Sequence, residues 1–150
     1  MSPHELFPLF NLGVLPAWAL LVLAPRWRWT QRLVHTAVIP VGLATAYLVL
    51  LLSTDIPDGA GGGSLDEVLR MFASPALALV CWIHYIVFDL FVGAWIARDA
   101  ARRGITHLLV APCLVLTLLV GPAGLLLYLV VRLALRRTAT LQETAAHAAG

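Results

Sequence analysis

The chain has 150 residues, of which 61% are hydrophobic and 12% charged, with a formal net charge of +2 and a mean hydropathy of +0.89. This composition cannot cover the surface of a soluble domain, so it predicts an all-α integral membrane protein whose partner is the lipid bilayer and not nucleic acid. All ten basic residues are Arg, which together with the Ala and Leu excess suggests a GC-rich bacterial genome and a multi-pass protein of the bacterial inner (cytoplasmic) membrane.

Four apolar segments approach or exceed the length needed to cross a bilayer, and they predict a four-transmembrane-helix bundle. The predicted spans cover residues 6–24, 33–52, 76–97 and 107–131. The first is interpreted as a permanent span and not a secretory signal, because no Lys or Arg precedes it. The bundle forms a single membrane domain over residues 1–132, followed by a polar C-terminal tail over 133–150.

The connections between the spans carry interface signals. Arg and Trp alternate at 26–29, a pattern typical of headgroup depth. Between the second and third spans, a polar loop at 53–63 leads to Ser64, which begins a helix-capping pattern with Glu67. Apolar residues then recur at helical spacing, which predicts a short amphipathic interfacial helix between spans 2 and 3.

The arginines give a small asymmetry between the two ends of the predicted bundle. Six lie in the first and third connections, which we call the basic side, and four lie on the other side. The positive-inside rule favours a cytoplasmic basic side. The stretch Gly121–Gly124, with sequence GPAG, can also break the fourth span and return it as a re-entrant segment. That arrangement would move three tail arginines to the basic side.

Asp89 is the most informative polar residue, because it lies within roughly 5 Å of the middle of the third span at 1.5 Å per residue. A charged carboxylate at that depth costs at least about 2.5 kcal/mol, so it should face protein, be paired, or be protonated through desolvation. Tyr85, one turn earlier, can reach the carboxylate. His84 is about 140° away around the helix, so His84 and Asp89 cannot easily share one metal ion or one proton. The pattern predicts a buried polar site on the central helix of the bundle.

Other candidates surround this site. One prediction is a polar pocket on the basic side, formed by His35, His107 and Arg98, with Asp89 at its deep end. The simpler interpretation is that the two histidines are ordinary interface residues and that Arg98 and Asp99 form a solvated surface pair. Gly93 allows close helix approach or leaves space for a ligand. An aromatic stripe either packs against helices or lines a groove; it consists of Phe88, Phe91 and Trp95.

The strings WIHYIVFDLFVGAWIARDA, LDEVLRMFASP and HLLVAPCLVLTLLVGPAGLLLYLVVR resemble the abscisic-acid-deficiency-four-like membrane family over about residues 10–132. The most specific motif is Trp82-x-His84 with Asp89-Leu90-Phe91. The resemblance implies a four-span bundle and carotenoid metabolism, since a plant member is required for neoxanthin synthesis. That conversion is an isomerisation in which a 5,6-epoxide opens to an allene.

Such an isomerisation needs an acid near the epoxide oxygen and a base for a polyene proton, but no external redox cofactor and no metal. The resemblance therefore implies Asp89 as acid, His84 as base and Tyr85 as helper. The implied ligand is a hydrophobic carotenoid, an apocarotenoid or another isoprenoid. The candidate substrate-binding residues are Trp82, Phe88, Phe91, Gly93, Trp95, His35, His107 and Arg98.

Two other classes of function remain open. A four-helix membrane bundle can hold haem b between two inward histidines, although the predicted histidines differ in depth. A small structural or assembly subunit, or a homo-oligomer, would use Asp89 as a helix–helix contact. A transporter is less favoured, because the four spans show no inverted repeat.

Overall fold

The computed structural model describes residues 1–36, 38–138 and 140, and within these ranges helices are the only regular secondary structure. This confirms the prediction of an all-α protein. The helices are α1 (Pro3–Gly13), α2 (Leu15–Leu23), α3 (Arg28–Leu33), α4 (Val38–Leu52), α5 (Leu65–Ala73), α6 (Pro75–Arg102), α7 (His107–Val120) and α8 (Pro122–Arg136).

Two helical segments of the described ranges are long and apolar enough to cross a bilayer, Pro3–Leu23 and Pro75–Arg102. The first combines α1 and α2 across a turn at Val14. The second predicted span begins later than expected, because α3 ends at Leu33 and α4 begins at Val38. Since α4 and α7 are apolar but shorter, the predicted count of four spans is not confirmed.

Helix α6 is the centre of the structure, as the two polar faces of its sequence predict. It begins at Pro75 after the N-cap residue Ser74, a position where a proline loses no helical hydrogen bond. It packs against α1, α2, α4, α5, α7 and α8. At Gly93 the absent side chain lets the indole of Trp18 lie directly on the helix, since a Cβ there would be 2.6 Å from Trp18 Cη2. The predicted close approach at Gly93 is thus the one observed.

The predicted fourth span is a helical hairpin. Helix α7 ends at Val120, Gly121 adopts a φ of +24°, and Pro122 begins α8. Gly124 of α8 packs against the backbone and hydroxyl of Thr117, and Arg136 Nη2 donates to the Gly104 carbonyl 2.6 Å away. Both ends of the hairpin are therefore at the C-terminal end of α6, so the chain reverses at the predicted break, Gly121–Gly124.

The reversal redistributes the positive charge. The end of α2 lies beside the start of α7, where His107 Nε2 donates to the Val22 carbonyl at 2.8 Å. Nine of the ten arginines consequently lie at one end of the bundle, which keeps the name basic side, and Arg70 lies at the other. The difference in the number of arginines between the two ends, six against four by the sequence, is nine against one in the structure.

Helix α5 confirms the predicted short amphipathic helix. The Ser64 hydroxyl accepts from the Glu67 amide at 3.3 Å, and the Glu67 carboxylate accepts from the Gly63 amide at 2.9 Å. Leu65, Leu69 and other apolar side chains of this helix are exposed. Most of the predicted polar tail, at 139 and 141–150, lies outside the described residues.

The hairpin gives a first testable prediction. In Gly124→Ala, the new Cβ overlaps Thr117 backbone atoms that cannot rotate away, so α7 and α8 must separate. We expect a net loss of about 1–3 kcal/mol in the free energy of unfolding, although Ala is the better helix former. Gly42→Ala is the matched control, because no atom lies within 4 Å of its Cβ. Thermal unfolding in detergent that leaves Gly124→Ala as stable as Gly42→Ala would contradict the close packing.

Candidate functional site

A cavity of about 540 Å³ lies against the middle of α6, and we call it the mid-helix groove. Its walls come from α1, α2, α6 and the tip of the α7–α8 hairpin. Five of the predicted site residues line it: Trp82, His84, Tyr85, Phe88 and Asp89. Most of the remaining wall is apolar and includes Leu15, Trp18, Ile86 and residues 118–122. The groove therefore combines an apolar lining with a few ionisable groups, as small-molecule sites usually do.

Asp89 faces the tip of the hairpin. A Cβ at Gly121 would lie 2.6 Å from Asp89 Oδ1, so only glycine allows this approach between backbone and carboxylate. Within the described residues Asp89 makes no hydrogen bond or ion pair, and the predicted contact with the Tyr85 hydroxyl is not formed. Helix α8 begins beside the carboxylate, and the positive end of its dipole stabilises a negative charge there. Asp89 is thus a polar group available to a ligand.

His84 and Tyr85 lie on the same side of α6. The His84 ring packs 4.6 Å from Phe88 and 5.9 Å from Tyr47, and it meets Tyr85 edge-on at 6.1 Å, between ring centroids. Along the helix axis His84 and Asp89 are about 7.5 Å apart. The groove extends around the helix from His84 to Asp89. An extended ligand can therefore contact both residues, but a single ligand atom cannot contact both at once.

Trp82 has a structural role in the groove wall. Its Nε1 donates to Asn11 Oδ1 at 3.2 Å, and its ring lies 5.5 Å from that of Phe7. Both contacts fix α1 against α6.

The other predicted site residues lie elsewhere. Phe91 and Trp95 line a shallow apolar depression of about 250 Å³ next to α8, together with Leu125. His35, Arg98 and His107 line a separate cavity of about 300 Å³ at the basic side. Asp89 is not among the residues lining that cavity, so the prediction of one pocket with Asp89 at its deep end is wrong. The reason is that the hairpin tip covers Asp89 on a different face of α6.

His35 lies in the connection between α3 and α4. Arg98 Nη1 is 3.4 Å from His35 Nδ1, and burial together with the Arg98 charge lowers the pKa of His35. His107 instead anchors α2 through the Val22 carbonyl. His35 and His107 thus line a different cavity from His84. No group of three or more metal-ligating side chains is found in the part of the chain that the structure describes.

A second polar cluster, which the sequence analysis missed, surrounds Asp99. The carboxylate Oδ2 accepts from Tyr128 Oη at 2.6 Å, from Arg132 Nη1 at 3.1 Å and from Arg103 Nε at 2.9 Å. Asp99 is 2% exposed, and Tyr128 and Arg132 are fully buried. Trp95 packs edge-on against the Tyr128 ring at 5.8 Å.

The prediction that Asp99 is a solvated surface residue is wrong, because α8 returns along α6 and covers it. The sequence held a usable signal. Tyr128 and Arg132 are four residues apart and share one face of a helix that follows a Gly-Pro break.

These observations define an all-helical protein in which a carboxylate faces the tip of a helical hairpin inside an apolar groove. The sequence pattern of the family described as ABA DEFICIENT 4-like matches residues 5–128, and the chain belongs to this family. The predicted family membership is therefore confirmed.

One curated relative gives the same result. The protein named ABA DEFICIENT 4, chloroplastic, from Arabidopsis thaliana is 26% identical over 137 residues. The match covers 85% of this chain and 60% of the plant protein, so the chain spans less than two thirds of its relative. No solved structure matches the chain.

Proposed function

We propose that this chain is an integral membrane protein of carotenoid or isoprenoid metabolism that isomerises an epoxy-carotenoid or apocarotenoid in the mid-helix groove. The observation that carries the proposal is the placement of Asp89, His84 and Tyr85 along one apolar groove in the middle of the longest helix. Membership of the ABA DEFICIENT 4-like family supports the same class of substrate.

The proposed membrane arrangement has three crossings and one hairpin. Helices α1 and α2 together, α4 and α6 cross the bilayer, and α7–α8 enters from the basic side and returns to it. Non-helical backbone such as Gly121 is tolerated at membrane depth only where protein or a cavity surrounds it, and here it faces Asp89 and the groove. The nine arginines favour a cytoplasmic basic side, in a bacterial inner membrane.

The proposed chemistry is an isomerisation in which the substrate gains one proton and loses another, so its composition does not change. Asp89 donates a proton to the epoxide oxygen as the C–O bond breaks, and His84 accepts a proton from the neighbouring polyene carbon as the new double bond forms. After Asp89 has lost its proton, the N-terminal end of α8 stabilises the negative charge of its carboxylate. Tyr85 lies between the two and can donate a hydrogen bond to the oxygen.

The shape of the groove suits the end group of a long ligand. A cavity of about 540 Å³ is within the range of small-molecule sites, and it is partly open towards the outside of the bundle. Phe88 and Phe91 are 56% and 53% exposed along the same helix. We propose that the polyene lies along these rings, in contact with lipid, while its epoxide ring enters the groove.

The test is turnover in proteoliposomes. Purified protein is incubated with an epoxy-carotenoid such as violaxanthin, and the products are separated by chromatography with mass detection. We expect a new product of unchanged mass that liposomes without protein do not form. Bound but unaltered pigment would favour a non-catalytic binding protein, and neither binding nor turnover would contradict the proposal.

A substitution of His84, the proposed general base, tests whether the activity takes place in the groove. In His84→Phe the ring keeps its packing against Phe88 but loses its nitrogens, so we expect pigment binding to persist and turnover to fall at least about 100-fold. His4→Phe is the control, since His4 is exposed on α1 and is not among the residues lining the groove. Equal turnover in both variants would exclude His84 as the base.

A further inference from the structure

One polar residue that lines the mid-helix groove has no part in the proposed isomerisation. Asn11, on α1, is the only carboxamide among the described residues that line this cavity, and its side chain is half-buried. Asp89, His84 and Tyr85 supply the proposed chemistry. A contact between Asn11 and a ligand in the groove would therefore serve binding and not proton transfer.

The contact with Trp82 fixes the orientation of the Asn11 amide. Trp82 Nε1 lies 3.2 Å from Asn11 Oδ1, and an indole nitrogen can only donate a hydrogen bond, so the amide presents its oxygen to Trp82. The Trp82 ring is itself held by Phe7, at 5.5 Å between ring centroids. Within the described residues Asn11 Nδ2 donates no hydrogen bond. Its two N–H donors are therefore available to an oxygen atom of a ligand.

Asn11 and Asp89 lie at two ends of the same side of the groove. Trp82, which contacts Asn11, precedes Asp89 by seven residues, so the two share one face of α6 and are about 10 Å apart along its axis. Hydrogen bonds of about 2.8 Å at each end leave a gap that a six-membered ring with two oxygen substituents spans. With an epoxide oxygen at Asp89, a hydroxyl on the far side of that ring faces Asn11.

We propose that Asn11 is a specificity-determining residue whose amide donates a hydrogen bond to a hydroxyl group on the end ring of the ligand. The inference rests on the proposed function, since it uses the same groove and the same position of the epoxide. Trp82 is then a positioning residue that holds the amide in place. A ligand without the hydroxyl binds more weakly, because it leaves the donors of Asn11 unpaired in an apolar groove.

The experiment measures pigment binding and does not require turnover. Proteoliposomes of the full-length protein are incubated with an equal mixture of violaxanthin, which has a hydroxyl on each end ring, and β-carotene diepoxide, which is the same molecule without hydroxyls. The protein is purified again in mild detergent, and chromatography gives the ratio of the two bound pigments, with protein-free liposomes as the blank. We expect the wild type to hold about tenfold more violaxanthin.

The outcomes separate this inference from the isomerisation. Equal binding of both pigments would overturn the role of Asn11, whether or not violaxanthin is isomerised. Selective binding of violaxanthin without turnover would support the role of Asn11 and contradict only the isomerisation. Binding of neither pigment would overturn both.

A substitution assigns the preference to Asn11. Asn11→Leu keeps a side chain of similar size but removes both donors, so we expect the ratio of violaxanthin to β-carotene diepoxide to fall to about one. Leu12→Ala is the control, because Leu12 is the next residue of α1, is 59% exposed and is not among the residues lining the groove. If Asn11 only holds α1 against α6, Asn11→Leu will weaken the binding of both pigments together and leave their ratio unchanged. That result would overturn the proposal.

Discussion

Replacing Asp89 with Asn is expected to reduce turnover at least about 100-fold while pigment binding changes less than about threefold. Asn has the same shape as Asp but neither donates a carboxyl proton nor becomes the anion that the start of α8 stabilises. Within the described residues Asp89 makes no hydrogen bond or ion pair, so the substitution removes chemistry and no structural contact. The unfolding temperature should therefore stay close to that of the wild type.

The measurement compares initial rates in proteoliposomes with the amount of pigment bound. Asp66→Asn is the control, because it removes one carboxylate from the exposed surface of α5 and lies outside the groove. If Asp89→Asn lowers expression and unfolding temperature but leaves the rate per folded molecule unchanged, Asp89 is a helix-packing residue. That result would favour the structural-subunit interpretation over catalysis.

The sequence alone predicts where most of the helical segments lie, because hydrophobic run length and capping residues are local properties. Ser74-Pro75 and Ser64 begin helices where their capping chemistry indicates. The family and the central position of α6 also followed from local patterns. Length alone could not establish how many segments cross, since a run such as 107–131 reads as one span whether or not it reverses inside.

The candidate site was only partly predictable for the same reason. Trp82, His84, Tyr85, Phe88 and Asp89 lie on one helix, but helical geometry separates His84 from Asp89 by about 140° and does not by itself place both in one groove. The opposing wall and the contact between Asp89 and Gly121 depend on the hairpin. Spacing along one helix cannot show what packs against it, so the sequence favours a solvated Asp99 although α8 buries it.

Breaking the Asp99 cluster is expected to have the largest effect on stability. In Asp99→Leu, the fully buried Arg132 loses its counter-charge and the Tyr128 hydroxyl loses its acceptor. An uncompensated buried charge of this kind typically costs about 3–5 kcal/mol of unfolding free energy. Arg102→Gln is the control, because this guanidinium is partly exposed and 3.8 Å from Asp99, and we expect a loss below about 1 kcal/mol.

The double variant distinguishes a buried ion pair from general sensitivity of this region. Arg132→Met alone leaves Asp99 with Tyr128 and Arg103. Asp99→Leu alone leaves Arg132 without a counter-charge, with the backbone carbonyls of Thr138 and Thr140 as its remaining acceptors. When both are replaced, no buried charge remains at the contact between α6 and α8, so the combined loss should be about 1–3 kcal/mol smaller than the sum of the single losses. Unfolding by denaturant in detergent measures all three. Strictly additive losses would mean that Asp99 and Arg132 do not stabilise each other, and the return of α8 along α6 would then depend on apolar packing such as that of Tyr128 on Trp95.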